Sequence, residues 1–177
     1  IFGETTRDHA IALLSPEGEV TGFERASYDE WQIDACPHHG PSMIVALQSD
    51  DYHMSWFSNG DAQSGIYYAR YSMEDEHPID VFQVDGAAGA GHPILAAQQG
   101  ALYLVWKGFD GERTRLQQII SHDAGRTWSE PTTLMSTEQG SDHPLLIKRQ
   151  SDKALYLSWH TSEYGYVVMP IVEGKTA

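Results

Sequence analysis

Apolar and polar residues alternate along most of this chain in runs of four to seven, each closed by turn-forming residues. A two-residue period of that kind predicts short β-strands with one face turned to a core. The clearest set is residues 94–97, 102–107, 116–121 and around 132–135, with turns at Gln98-Gln99-Gly100 and Gly108-Phe109-Asp110-Gly111. Residues 43–47, 52–57, 65–71 and 79–84 form a second set of four, and 145–148, 154–159 and 166–171 a set of three. Upstream, 9–14 and 20–26 flank a Pro16-Glu17-Gly18 turn and read as the last two strands of a further set.

These sets are copies of one another. His39-Gly40-Pro41, His92-Pro93 and Asp142-His143-Pro144 precede the first strand of each, and the second strands are Tyr52-His53-Met54-Ser55-Trp56, Leu102-Tyr103-Leu104-Val105-Trp106 and Leu155-Tyr156-Leu157-Ser158-Trp159. A repeat of roughly fifty residues with four short strands is the signature of propeller blades. The expected fold is all-β: a β-propeller of four-stranded antiparallel blades, about three and a half of them in one domain over 1–177. A partial blade at 5–33 precedes blades at 36–86 and 89–136, and a last one at 140–173 is completed by another strand. Three closures are open: a longer propeller of which this is part, a homodimer that completes the ring, or N-terminal strands that finish the last blade. Unpaired sheet edges are aggregation templates, so some pairing is expected.

Composition narrows the function classes. The 177 residues carry a formal charge of −14 with 11 Lys and Arg, which opposes binding to nucleic acid or anionic lipid. No apolar run approaches the roughly 18 residues of a membrane-spanning helix, so no membrane insertion is expected. The first residues lack the basic and apolar regions of an export signal. The single Cys36 rules out an internal disulfide.

Between the third and fourth strands of the central copy lies Ser121-His122-Asp123-Ala124-Gly125-Arg126-Thr127-Trp128. It matches the Asp-box pattern Ser-x-Asp-x-Gly-x-x-Trp on Ser121, Asp123, Gly125 and Trp128, and with it the sequence resembles the sialidase-like, Asp-box-repeat β-propellers of bacteria. Degenerate versions stand at Ser72-Met73-Glu74-Asp75-Glu76 and Ser15-Pro16-Glu17-Gly18. In such a turn Asp accepts backbone N–H bonds, Gly supplies a positive φ and Trp packs between sheets. The resemblance implies a six-bladed ring, an exported protein (periplasmic or extracellular) and, for catalytic members, exo-α-sialidase activity. Those members clamp a substrate carboxylate with three arginines, attack with a Tyr/Glu pair and protonate with Asp. Here the Arg-Ile-Pro segment of the family is missing, and arginines suited to a clamp are few.

In a propeller the residues ahead of each innermost strand crowd the axis on one face, joined by the loops after each second strand. That places Cys36, His38, His39, His92, Asp142 and His143 together, with Phe57, Asn59, Lys107, Asp110, His160, Glu163 and Tyr164 beside them. Arg7, Asp8 and His9 belong to the same side. The ligand-binding candidates are therefore Arg7, His38, His39, His92, Lys107, His143 and His160, for a small molecule or glycan. Imidazoles from successive blades are also candidate ligands of a transition metal such as Zn or Cu, with Cys36 or Asp142 completing the shell. The alternative for a His before Pro is a structural role at the blade junction. Glu163, Tyr164 and Asp142 are the candidate catalytic residues, although a polar loop Glu is ordinarily just solvated. Asp110 reads as a turn former, and Trp56, Trp106 and Trp159 as packing between blades. Two functions follow: a sialidase-like propeller that binds a glycan or metal ion in a His-rich axial pocket, or a sialidase-type hydrolase with its other catalytic groups outside this chain.

Overall fold

The computed structural model describes residues 2–34, 39–45, 51–61, 63–72 and 77–171, and all regular structure among them is β. β1 (Ala10–Leu14) pairs antiparallel with β2 (Val20–Arg25). β3 (Ser42–Val45), β4 (Tyr52–Ser58), β5 (Gly65–Tyr71) and β6 (Ile79–Asp85) make a four-stranded meander. β7 (Gly91–Gln98), β8 (Ala101–Phe109), β9 (Thr114–Ser121) and β10 (Thr132–Thr137) make another. β11 (Leu145–Lys148), β12 (Leu155–Thr161) and β13 (Gly165–Pro170) form a three-stranded sheet. This is the blade succession of a β-propeller, and each strand overlaps the segment that the alternation of the sequence marks.

The sheets stack through both of their faces, which is why β8 is apolar almost throughout. Leu104 and Trp106 pack with Leu95 and Ile119 against Ile66 and Tyr68 of the preceding meander. Ala101, Tyr103 and Val105 point the other way, onto Leu155, Leu157 and Trp159. One sheet earlier, Tyr52, Met54 and Trp56 of β4 and Tyr67, Ala69 and Tyr71 of β5 pack on Ala26 and Ile11. Fully burying one leucine, such as Leu104 or Leu157, contributes about 2 kcal/mol, and every sheet-to-sheet seam is built from several such side chains. Hydrogen bonds tie the same seams: the Tyr71 hydroxyl donates to the Ala26 carbonyl at 2.6 Å, and the Leu95 amide to the Ser42 hydroxyl oxygen at 2.9 Å.

The three repeated tryptophans act alike. Trp56, Trp106 and Trp159 are all buried, and each indole N–H donates back to a residue at or beyond the end of the preceding sheet's last strand. The acceptors are Asp29 Oδ2 at 2.7 Å, Asp85 Oδ2 at 2.7 Å and the Asp142 carbonyl at 3.0 Å. A buried indole needs such a partner.

The Ser121–Trp128 turn has the internal bonding its residues predict. Asp123 accepts from the Thr127 amide at 2.8 Å and hydroxyl at 2.6 Å, and the Gly125 amide donates to Ser121 Oγ at 2.9 Å. Those bonds hold the Asp123 carboxyl down to about 2. Gly125 has φ 80°, and a Cβ there would strike the Tyr68 hydroxyl of the preceding meander. Trp128 meets the Tyr68 ring edge-on at 4.9 Å. Residues 73–76 of one degenerate version lie outside the described residues. At the other, Ser15 Oγ accepts from the Glu17 and Glu19 amides at 3.2 Å and Gly18 has φ 87°.

One of the three open closures and one strand boundary need correction. Among the described residues β1 and β2 pair with each other, as expected for 9–14 and 20–26, and pack toward β4 and β5, so they do not complete the last sheet. The first strand of the central sheet also starts earlier than the alternation implies, at Gly91, because a bulge between Gly91 and Ile94 accommodates His92 and Pro93 inside it. A bulge leaves a residue outside the ladder, which a proline lacking N–H tolerates.

Candidate functional site

The linkers that lead into β3 and β11, and the bulged start of β7, bring His39, His143 and His92 together as a stack. The His39 and His92 rings lie 4.4 Å apart at 17°, and His92 and His143 3.5 Å apart at 21°. The row continues into Phe57, whose ring is 4.4 Å from His39, and Trp31 abuts Phe57 edge-on at 5.6 Å. Phe57, Lys107 and His160 are the residues immediately after the repeated tryptophans, so β4, β8 and β12 deliver them to this same face in register.

His92 is the centre of the stack and the strained residue in it. Its φ is 53°, a left-handed conformation that costs a non-glycine residue about 1–2 kcal/mol. The preceding Gly91 gives the room: a Cβ there would sit 3.1 Å from His39 Cε1. Burial, helped by His143, His39 and Lys107, lowers the His92 pKa to about 4, so its ring is neutral at physiological pH.

Lys107 donates from Nζ to the Ser141 carbonyl at 2.9 Å. Desolvation pushes its pKa down while the nearby Asp142 carboxylate opposes the shift. Asp142 Oδ2 lies 3.4 Å from His160 Nδ1, and the His160 ring rests on Tyr166 at 4.9 Å. Asp142, His143, Leu145, Ser158, His160 and Tyr166 line an open cavity of about 220 Å³ beside the stack. His9 is held close by: burial lowers its pKa, while Asp29 and a bond to the Phe57 backbone pull it up.

The sequence-predicted residues thus divide. His39, His92, His143, Lys107, Phe57, Asp142 and His160 are brought together. Asp8 is structural, its buried carboxylate accepting from Arg25 Nε at 2.9 Å and from the amides of Glu30 and Trp31 at 3.2 and 3.3 Å. Arg7 donates to the Glu4 carbonyl at 3.4 Å. Asp110 makes the turn expected of it, accepting from the Glu112 and Arg113 amides at 3.0 and 2.8 Å. Glu163 accepts from the Thr137 hydroxyl at 2.8 Å and from the Tyr164 side chain, bonds that lower its pKa and raise that of Tyr164. Cys36 and His38 lie outside the described residues.

The metal reading of His39, His92 and His143 does not fit this geometry. Imidazole lone pairs lie in the ring plane, so stacked, nearly parallel rings aim them side by side and not at a common centre. Among the described residues no three His, Cys, Asp or Glu side chains are placed to hold a metal ion. Asp29 and Asp85, which receive the tryptophans, are functional neighbours that the strand pattern does not mark. A repeated Asp ahead of each Trp was the available signal, and unequal linker lengths blurred it.

No family model and no curated protein matches the chain. Among solved structures it is similar to the alpha-L-arabinanase of Penicillium chrysogenum complexed with arabinobiose, at TM-score 0.55 and 14% sequence identity. The match covers 73% of this chain and 44% of that one, so the chain spans less than half of the arabinanase it resembles. At this identity the likeness is one of fold, and the fold is a β-propeller.

Proposed function

We propose that this chain is part of a glycosidase-like β-propeller whose axial face binds a saccharide. The observation that carries this reading is the row Phe57–His39–His92–His143 flanked by Lys107. The neutral His92 imidazole offers both a donor and an acceptor to hydroxyls, Phe57 offers an apolar surface, and the Lys107 ammonium fixes orientation. The strained backbone of His92 belongs with such a role, since strain of this kind clusters at ligand sites. Arabinobiose in the complex of the similar arabinanase is consistent with a sugar.

The test is NMR titration of the imidazole resonances with arabinobiose and with sialyllactose, repeated on Lys107→Met. At least one saccharide is expected to shift the His39, His92 and His143 signals, with about tenfold weaker affinity in the variant. Shifts that map elsewhere, or none with either sugar, would overturn the reading. A second reading, sialidase-type hydrolysis, is favoured by the hydrogen bond between Tyr164 and Glu163. It predicts release of 4-methylumbelliferone from its N-acetylneuraminic acid glycoside, abolished in Tyr164→Phe.

A further inference from the structure

Between the β1–β2 pair and the edge of β3 runs an apolar cleft of about 280 Å³, lined by Ile11, Leu13, Phe23, Met43, Val45 and Tyr52 among others. The repeat says what belongs there. Counted from the prolines that precede each innermost strand, Met43, Leu95 and Leu146 are one position in three successive sheets. Leu95 is only 4% exposed and packs toward the preceding sheet, whose inner strands β3 and β4 lie against β7. Leu146 is likewise partly buried against the sheet before it, where β7 lies against β11. Met43 is 51% exposed, and the pair before it consists of outer strands alone.

The other sheets therefore bury this position against inner strands of the sheet ahead, β3 and β4 in one case and β7 in the other, and inner strands are what the first pair lacks. Among the described residues β1 pairs with β2 only, so its other edge offers backbone N–H and C=O groups along the same cleft.

We infer that the cleft is the docking site of a β-hairpin supplied by polypeptide outside residues 1–177. One strand adds antiparallel to the free edge of β1, and alternate apolar side chains cover Met43 and Val45. The two four-stranded sheets display that arrangement already, and the hairpin makes the first sheet their equal.

A suitable probe comes from the chain itself: residues 91–109, which form the β7–β8 inner hairpin, fused ahead of residue 1 through a flexible Gly/Ser linker. The linker supplies a high effective concentration. Hydrogen exchange of the β1 amides is expected to slow at least tenfold in the fusion, with a rise in melting temperature. Both effects disappear in Met43→Lys, a change at an already exposed position that leaves the unfused chain folded, and both persist in Val168→Lys on the far sheet. No protection of β1 in the fusion, or protection untouched by Met43→Lys, overturns the assignment. Light scattering of the unfused chain is the companion measurement: a dimer whose β1 amides are already protected makes a second copy the occupant and overturns the hairpin.

Discussion

His92 concentrates the chemistry of the axial face. Its folded pKa is about 4 against about 6.5 in an unfolded chain, so the unfolded state takes up the proton first as pH falls. The stability this ring contributes is complete above pH 6.5 and is lost as pH drops toward 4. Burial lowers His9 and His53 in the same direction. The urea midpoint is therefore expected to fall steadily from pH 7 to 4.5, with a shallower slope in His92→Asn, and the His92 Hε1 shift should titrate below pH 5. A midpoint near 6.5 for that proton contradicts the desolvation of the His92 ring. Asn tolerates a left-handed φ, whereas a β-branched residue does not, so His92→Val is expected to be less stable than His92→Asn by about 1–3 kcal/mol. The proline-marked repeat made it legible that His39, His92 and His143 share one face. Their stacking was not legible, because spacing tells which loops converge but not how rings are turned. The φ of His92 follows from where the ladder slips between Gly91 and Ile94, which alternation alone does not specify.

At the scale of the element, each sheet is fastened to its predecessor through one indole. Asp85 accepts from Trp106 and also caps the Ala87 amide at 2.9 Å. Asp85→Ala leaves the buried Trp106 N–H without its acceptor, at a cost of about 1–3 kcal/mol, while Asp85→Asn keeps an oxygen there and is expected to lose less than half of that. Chemical denaturation of the two variants checks the ordering; equal losses would mean that the carboxylate charge, not the acceptor, is what counts. The strands were readable because buried faces impose a two-residue period. Their ends shifted by one to a few residues, as in β7 and β8, where backbone pairing continues past the last apolar side chain. The Ser121–Trp128 turn was readable in detail because its bonding is local: Asp123 reaches only as far as Thr127. Asp29 and Asp85 bond across sheets, and nothing local marks them.

Over the whole molecule, each sheet makes its core with its immediate neighbours: among the described residues there are three separate apolar clusters, one per seam. Such an array resembles a linear repeat protein, where stability is a sum of units and nearest-neighbour seams. Leu157→Ala is expected to cost the last seam about 2–5 kcal/mol, and hydrogen exchange should show that loss in β11–β13 far more than in β3–β6. Uniform loss across all sheets would instead mean that the molecule unfolds as one. The order of sheets was evident from the repeat, and so was the pairing of β1 with β2 across the Pro16-Glu17-Gly18 turn; what this pair packs against was not, since alternation marks a buried face and not its partner.

Every indole in this series reaches toward a residue earlier in the chain, never later. On the ribosome, where synthesis runs from the N-terminus, the acceptor for each tryptophan has already left the exit tunnel when its donor arrives. New sheets are thereby latched in the sequence in which they are translated, and no seam has to wait for a strand still to be made.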